Sequence, residues 1–136
     1  MHYGILFDTN RFNLSEVKPH FINDCCFGED TAAWLRERLT VLGMAVIEPG
    51  QEDWGWYIEA THQGKSYFIG VGGNPQEGAL DKNEGEWSIM VEKHRSLRDK
   101  LTGKNKLAPD EEILSVIRSI VEREPDFRHV RQEQGA

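Results

Sequence analysis

The stretch WGWYIEATHQGKSYFIGVGG, Trp54 to Gly73, decides how this chain folds. Its first half alternates, with Trp54, Trp56, Ile58 and Ala60 on one side and Gly55, Tyr57, Glu59 and Thr61 on the other. That is the period of a strand with one face in a core. His62-Gln63-Gly64 has the composition of a tight turn. Lys65 to Gly72 then returns as the partner strand of a hairpin, and Gly72-Gly73-Asn74-Pro75 is expected to stop it. Burying two indoles removes roughly 400 Å² from water. Both Trp54 and Trp56 are therefore expected inside. Gly55 falls on the opposite face, where a missing side chain lets another group reach the backbone.

Working outward, Tyr3 to Phe7 alternates as a second strand, with Tyr3, Ile5 and Phe7 together. Asp8 to Asp30 has no period, yet it carries Phe12, Leu14, Val17, Phe21, Ile22 and Phe27. So apolar a segment must lie across the body of the domain. Asp30 is a suitable N-cap for a helix from Thr31 to Leu42, whose stripe is Ala32, Leu35, Leu39 and Leu42, and Gly43 stands at C′. Met44 to Ile47 reads as a short strand closed by Glu48-Pro49-Gly50, and Glu86 to Glu92 as another with Trp87, Ile89 and Val91 on one side. Pro109, followed by Asp110, Glu111 and Glu112, opens a second helix that points Ile113, Val116, Ile117 and Ile120 inward and ends at Pro125. Phe127 to Arg131 suits a last strand, with Gln132 to Ala136 frayed. The expectation is one α+β domain over residues 1–136. It has a single antiparallel sheet of about four to six strands, with two main helices, about 31–42 and 109–123, packed on one face.

Composition sets the outer bounds. A chain of 136 residues, 38% apolar, can bury about two thirds of its unfolded surface. The formal charge of −7 argues against general nucleic-acid affinity, because phosphate contacts need a cationic surface. No apolar run approaches the ~20 residues of a membrane span. Met1 to Phe7 is cut short by Asp8 and Arg11 with no basic segment before it, so no targeting function is expected of it. These features fit a small, soluble, cytoplasmic, bacterial-style protein with no membrane partner. The two cysteines, Cys25 and Cys26, are adjacent. Neighbouring Cβ vectors diverge, so reduced thiols are expected in place of a disulfide scaffold.

Few residue patterns carry chemistry. Cys25-Cys26-Phe27-Gly28 precedes a helix, and a helix N-terminus favours a thiolate. Glu29 and Asp30 oppose that effect, and packing as small hydrophobes accounts for both cysteines. His2, His20, His62, His94 and His129 are scattered, without helix i,i+4 pairs or a Cys-x-x-Cys, so no metal is expected. Asp81, Glu84 and Glu86 lack the alternation of a calcium loop. Gly64-Lys65-Ser66 lacks the upstream glycine and the following helix of a phosphate loop. Lys93 to Lys106 holds six basic residues against Asp99 alone, and reads as a solvated linker between acidic segments. Glu52 and Asp53 sit beside Gly55 and Tyr57, and carboxylates at an aromatic-lined recess can recognise cations.

No catalytic constellation emerges and no cofactor is implied. The sequence points to a non-enzymatic module that binds a protein partner or a small ligand, with Glu52, Asp53, Gly55, Tyr57, Cys25 and Cys26 as the candidate binding residues. Self-association is compatible with the sequence. Two alternatives stand beside this reading. One is a thiol enzyme using Cys25 or Cys26 with His20, His94 or His129. The other is phosphate or nucleic-acid contact through residues 93–106.

Overall fold

The computed structural model describes residues 2–24 and 26–135. Among them seven strands form one antiparallel sheet: β1 His2–Thr9, β2 Ala45–Val46, β3 Gly50–Glu52, β4 Gly55–His62, β5 Lys65–Pro75, β6 Gly85–Lys93 and β7 Arg128–Gly135. The order is β2-β4-β5-β6-β1-β7, with β3 also paired to β4. Three helices accompany them: α1 Glu29–Val41, α2 Leu97–Thr102 and α3 Glu112–Glu122. The α+β class is as expected. The strand count exceeds four to six because one edge is split, β2 and β3 lying end to end along β4.

Register assigns the faces. Trp56, Val71, Ile89 and Ile5 form one cross-sheet row, and Ile58, Ile69, Val91 and Tyr3 form the next. All eight are 7% exposed or less. Ala32, Leu35 and Leu39 of α1 and Ile113, Leu114, Ile117 and Val121 of α3 bury the same face, so sheet and helices share one core. Among the described residues, the other face has no helix over its middle and stays half-open.

Several boundaries differ from expectation for local reasons. Helix α1 starts before Asp30, whose carboxylate accepts from the Asn13 N–H at 2.8 Å and so ties down the incoming segment. Leu42 is the C-cap and is exposed, while Gly43 takes a positive φ of 93° at C′ as expected. Helix α3 starts at Glu112, not Pro109, because the Glu111 carboxylate accepts the Ala108 N–H and closes a turn ahead of it. Strand β5 continues through Gly72, Gly73 and Asn74 to Pro75, since each of these has a partner on β6. Residues 132–135 are paired with β1 and do not fray. The basic segment contains α2, whose Ser96–Asp99 capping box and left-handed Gly103 give it both ends.

Trp54, expected inside with Trp56, lies outside the core. Glu52 pairs with Gly55, so Asp53 and Trp54 are the two residues of a hairpin turn and β4 begins at Gly55. Trp56 is interior at 4% exposure. Trp54 is 43% exposed and lies on the open face.

Residues 10–24 and 26–28 seal one end of the core. Phe12 packs edge-on to Trp87 and Phe127, at 5.6 and 5.8 Å between ring centroids. Phe21 stands 5.6 Å from Trp56, whose indole N–H donates to the Cys26 carbonyl at 3.0 Å.

Candidate ligand-binding face

The open face takes its relief from the side chains that register places there. One row is Tyr57, Gly70, Met90 and Gly4; the next holds Gly72, Ser88 and Leu6; on the other side lie Glu59, Phe68 and Glu92. Glycines and a serine make a low floor between larger groups. Trp54 reaches over that floor from its turn, and a Cβ on Gly70 would stand 2.8 Å from the edge of the indole. Tyr57 stacks on Phe68 at 5.0 Å with its ring against Gly50, and Trp54 meets Phe68 edge-on at 6.1 Å. These contacts hold the three rings in fixed relation.

The indole stands between two recesses. One, of about 300 Å³, is lined by His2, Glu52, Trp54, Phe68, Gly70, Met90 and Glu92. The other, of about 450 Å³, includes Cys26, Gly72, Asn74 and Ser88 and shares Trp54 and Met90 with the first. A larger recess of about 630 Å³ adjoins the first through Phe68 and Glu92, and ends at Thr61, Ser66, Arg95 and Lys100. Phe68 and Glu92 border the first and the largest, Trp54 and Met90 the first and the second, so the three adjoin in sequence as a segmented trough along the strands. It is concave, walled by aromatic rings, and carries polar groups at its margins, as ligand sites usually do.

No family model matches this chain. Neither does a curated protein or a solved structure.

The residues singled out in the sequence reach different places. Glu52 is exposed at the end of β3 and lines the smaller recess. Asp53 turns toward Asn23 and Cys26, where its carbonyl accepts from the Asn23 amide and lies 3.4 Å from Cys26 Sγ. Gly55 is buried, and the space beside it is filled by the Val71 carbonyl, 2.9 Å from where a Cβ would stand. It offers no approach to an outside group. Tyr57 belongs to the ring cluster. Cys25 lies outside the described residues. Cys26 is disulfide-bonded, and no cysteine among the described residues is free, which corrects the expectation of reduced thiols. That expectation assumed regular backbone, whereas the residues flanking the cysteines are irregular.

Of the histidines and charged clusters, His2 lines the smaller recess and Lys93, His94, Arg95 and Lys100 the larger one, while the other histidines are engaged away from the trough. His20 pairs with Glu29 and His129 with Asp8, each at 2.7 Å, while His94 sits at the end of β6 beside Ser66. In residues 93–106, Arg95 donates to the Lys104 and Asp99 carbonyls and so braces α2. The half-buried carboxylate of Glu111 accepts from Tyr67 Oη at 2.5 Å and from Lys93 Nζ at 3.2 Å. Burial pushes the Glu111 carboxyl up, but these bonds outweigh it and hold it below the usual range. Burial and the same carboxylate raise Tyr67. Arg11 hydrogen-bonds to Glu124 and Asp126 and lowers both carboxyls, with its guanidinium 4.6 Å from the Phe127 ring centroid.

Residues missed by sequence reasoning are Phe68, Gly70, Ser88 and Met90. Their signal was available only through register, because each is contributed by a strand separate from Trp54.

Proposed function

We propose that this chain is a binding module whose ligand surface is the open face of the sheet around Trp54. The observation that carries the reading is the position of that indole. It is held over Gly70, half exposed, between two recesses, in a sheet whose opposite face buries Trp56 and Trp87 in the core. An exposed ring on a preformed platform adds contact area at little entropic expense to binding, which is why tryptophan is enriched at interaction hot spots. Glycines beneath it keep the floor open.

The test is a screen of small neutral aromatic and aliphatic fragments against the isotopically labelled chain. Binding is read from the amide signals of Gly70, Gly72 and Ser88 and from the Trp54 indole N–H, assigned with Trp54→Phe. Fragments are expected to cluster at these signals, and Trp54→Ala to weaken them by roughly tenfold while changing stability by less than about 1 kcal/mol, since the ring is only half buried. Fragments that gather on the helical side, or none on the sheet, would overturn the reading.

A further inference from the structure

We propose that the recess between Trp54 and Phe68 receives the lysine or arginine side chain of a basic peptide laid along the trough, an inference that rests on the open face being the binding surface. Charge is the first argument. Glu59, Phe68 and Glu92 are cross-strand neighbours in one row, so the two carboxylates flank the ring at roughly 10 Å, two strand spacings apart. Glu92 and Glu52 line the recess itself, beside His2, while Glu59 lies on the far side of Phe68 and lines the larger one. All three are exposed, and none takes part in an ion pair among the described residues, although Glu84, Glu86, Glu111, Glu124 and Asp126 do. Unpaired carboxylates gathered around an aromatic platform repel one another until a cation arrives.

The rings are the second argument, and they are independent of the charges. An ammonium or guanidinium is drawn to the face of an indole or phenyl ring, and a guanidinium can stack while its N–H groups reach carboxylates at the edge. Trp54 and Phe68 supply two ring walls, and the Glu52 and Glu92 carboxylates stand at the margins. A recess of about 300 Å³ suits the end of one side chain better than a large ligand. The trough continues past Phe68 on one side and past Trp54 on the other, so an extended chain has somewhere to run. The basic residues at its far end, Lys93, His94, Arg95 and Lys100, lie beyond this recess; Lys93 is paired with Glu111 and Arg95 is engaged by α2. A second copy of this chain is the poorer occupant, because the acidic faces would meet each other.

The probe is an oligo-arginine amide titrated into the full chain, with an oligo-glutamine amide of equal length as control. The expected result is saturable movement of the Trp54 indole N–H and of the Phe68 and Gly70 amides with the arginine peptide alone. Glu52→Gln with Glu92→Gln should weaken it roughly tenfold, and Trp54→Ala about threefold to fivefold. Glu37→Gln with Glu77→Gln, two exposed carboxylates away from the trough, should change it less than about twofold. An equal loss from that remote pair would reduce the effect to a diffuse field and overturn the proposal. So would equal binding of the glutamine peptide, or shifts confined to another surface. If neutral fragments occupy the open face and the arginine peptide does not, the cation assignment fails and the binding reading stands. If neither does, both fall.

Discussion

Trp56 and Trp87 are both interior, but they differ in one bond. The Trp56 indole N–H donates to the Cys26 carbonyl, whereas the Trp87 N–H is buried with no hydrogen-bond partner among the described residues. A buried donor left unpaired forgoes its hydration without recompense, so removing it releases that penalty. Replacing each by Phe deletes a similar volume and leaves a similar void. The difference between the two variants therefore isolates the polar atom. Trp56→Phe is expected to cost about 1–2 kcal/mol more than Trp87→Phe, measured by denaturant unfolding, and equal losses would mean that the Trp87 nitrogen finds water. This contrast was invisible in the sequence, where both residues stand in alternating apolar rows. Trp54 was hidden for a related reason. A period of two runs through a two-residue turn without a break, so Trp54 keeps step with Trp56 although it belongs to no strand. Only the pairing of Glu52 with Gly55 separates them.

At the scale of elements, the hairpin of β4 and β5 closes with Gln63 and Gly64 at φ 53° and 76°. Positive φ at both turn residues is the geometry whose twist matches antiparallel strands, and it favours Asn or Gly at the first position. Gln63 occupies that position with strain that an asparagine would relieve. Gln63→Asn is expected to stabilise the chain by about 0.5 kcal/mol, seen as a small rise in Tm with no change in spectrum; a fall would mean that the Gln63 side chain makes a contact worth more than the strain. Long elements with one clear period were legible from residues alone: β1, β4, β6 and the bodies of α1 and α3. Helix α2 was not read, although Ser96, Asp99 and Gly103 carry its caps, because the run of basic residues around it looks like a linker and none of its side chains is buried. The split edge and the pairing of residues 132–135 with β1 were not legible. Pairing partners so distant in sequence leave no local mark, and Val130 is the one large apolar residue in RHVRQEQG.

For the molecule as a whole, Glu111 is the point where α3, β5 and β6 are joined. Its carboxylate holds Tyr67 and Lys93, and all three side chains are largely withdrawn from solvent. The two titrating partners are shifted in opposite directions, and the signs give a stability window. Glu111 lies below its ordinary value in the folded chain, so the stability it contributes is present above the unfolded carboxyl value of about 4.3 and is lost as pH falls through the folded one. Glu124 and Asp126, lowered by Arg11, act in the same sense, with Asp126 discounted for its exposure. Tyr67 is raised, so its contribution is present below the unfolded phenol value of about 10 and is lost as pH rises beyond it. Glu111→Gln should therefore act on both limbs. At neutral pH it leaves Lys93 without its counter-charge, for a loss of about 2–3 kcal/mol. Its acid limb should be shallower, with Arg11→Gln flattening what remains. Its alkaline limb should soften only in part, because burial, the larger cause of the Tyr67 shift, is untouched. Tm measured across pH, with phenolate absorbance followed at the alkaline end, reads all three. A variant whose limbs keep the slopes of the parent would show that the carboxylate anchors the helix through packing alone and that its charge is bystander to the fold.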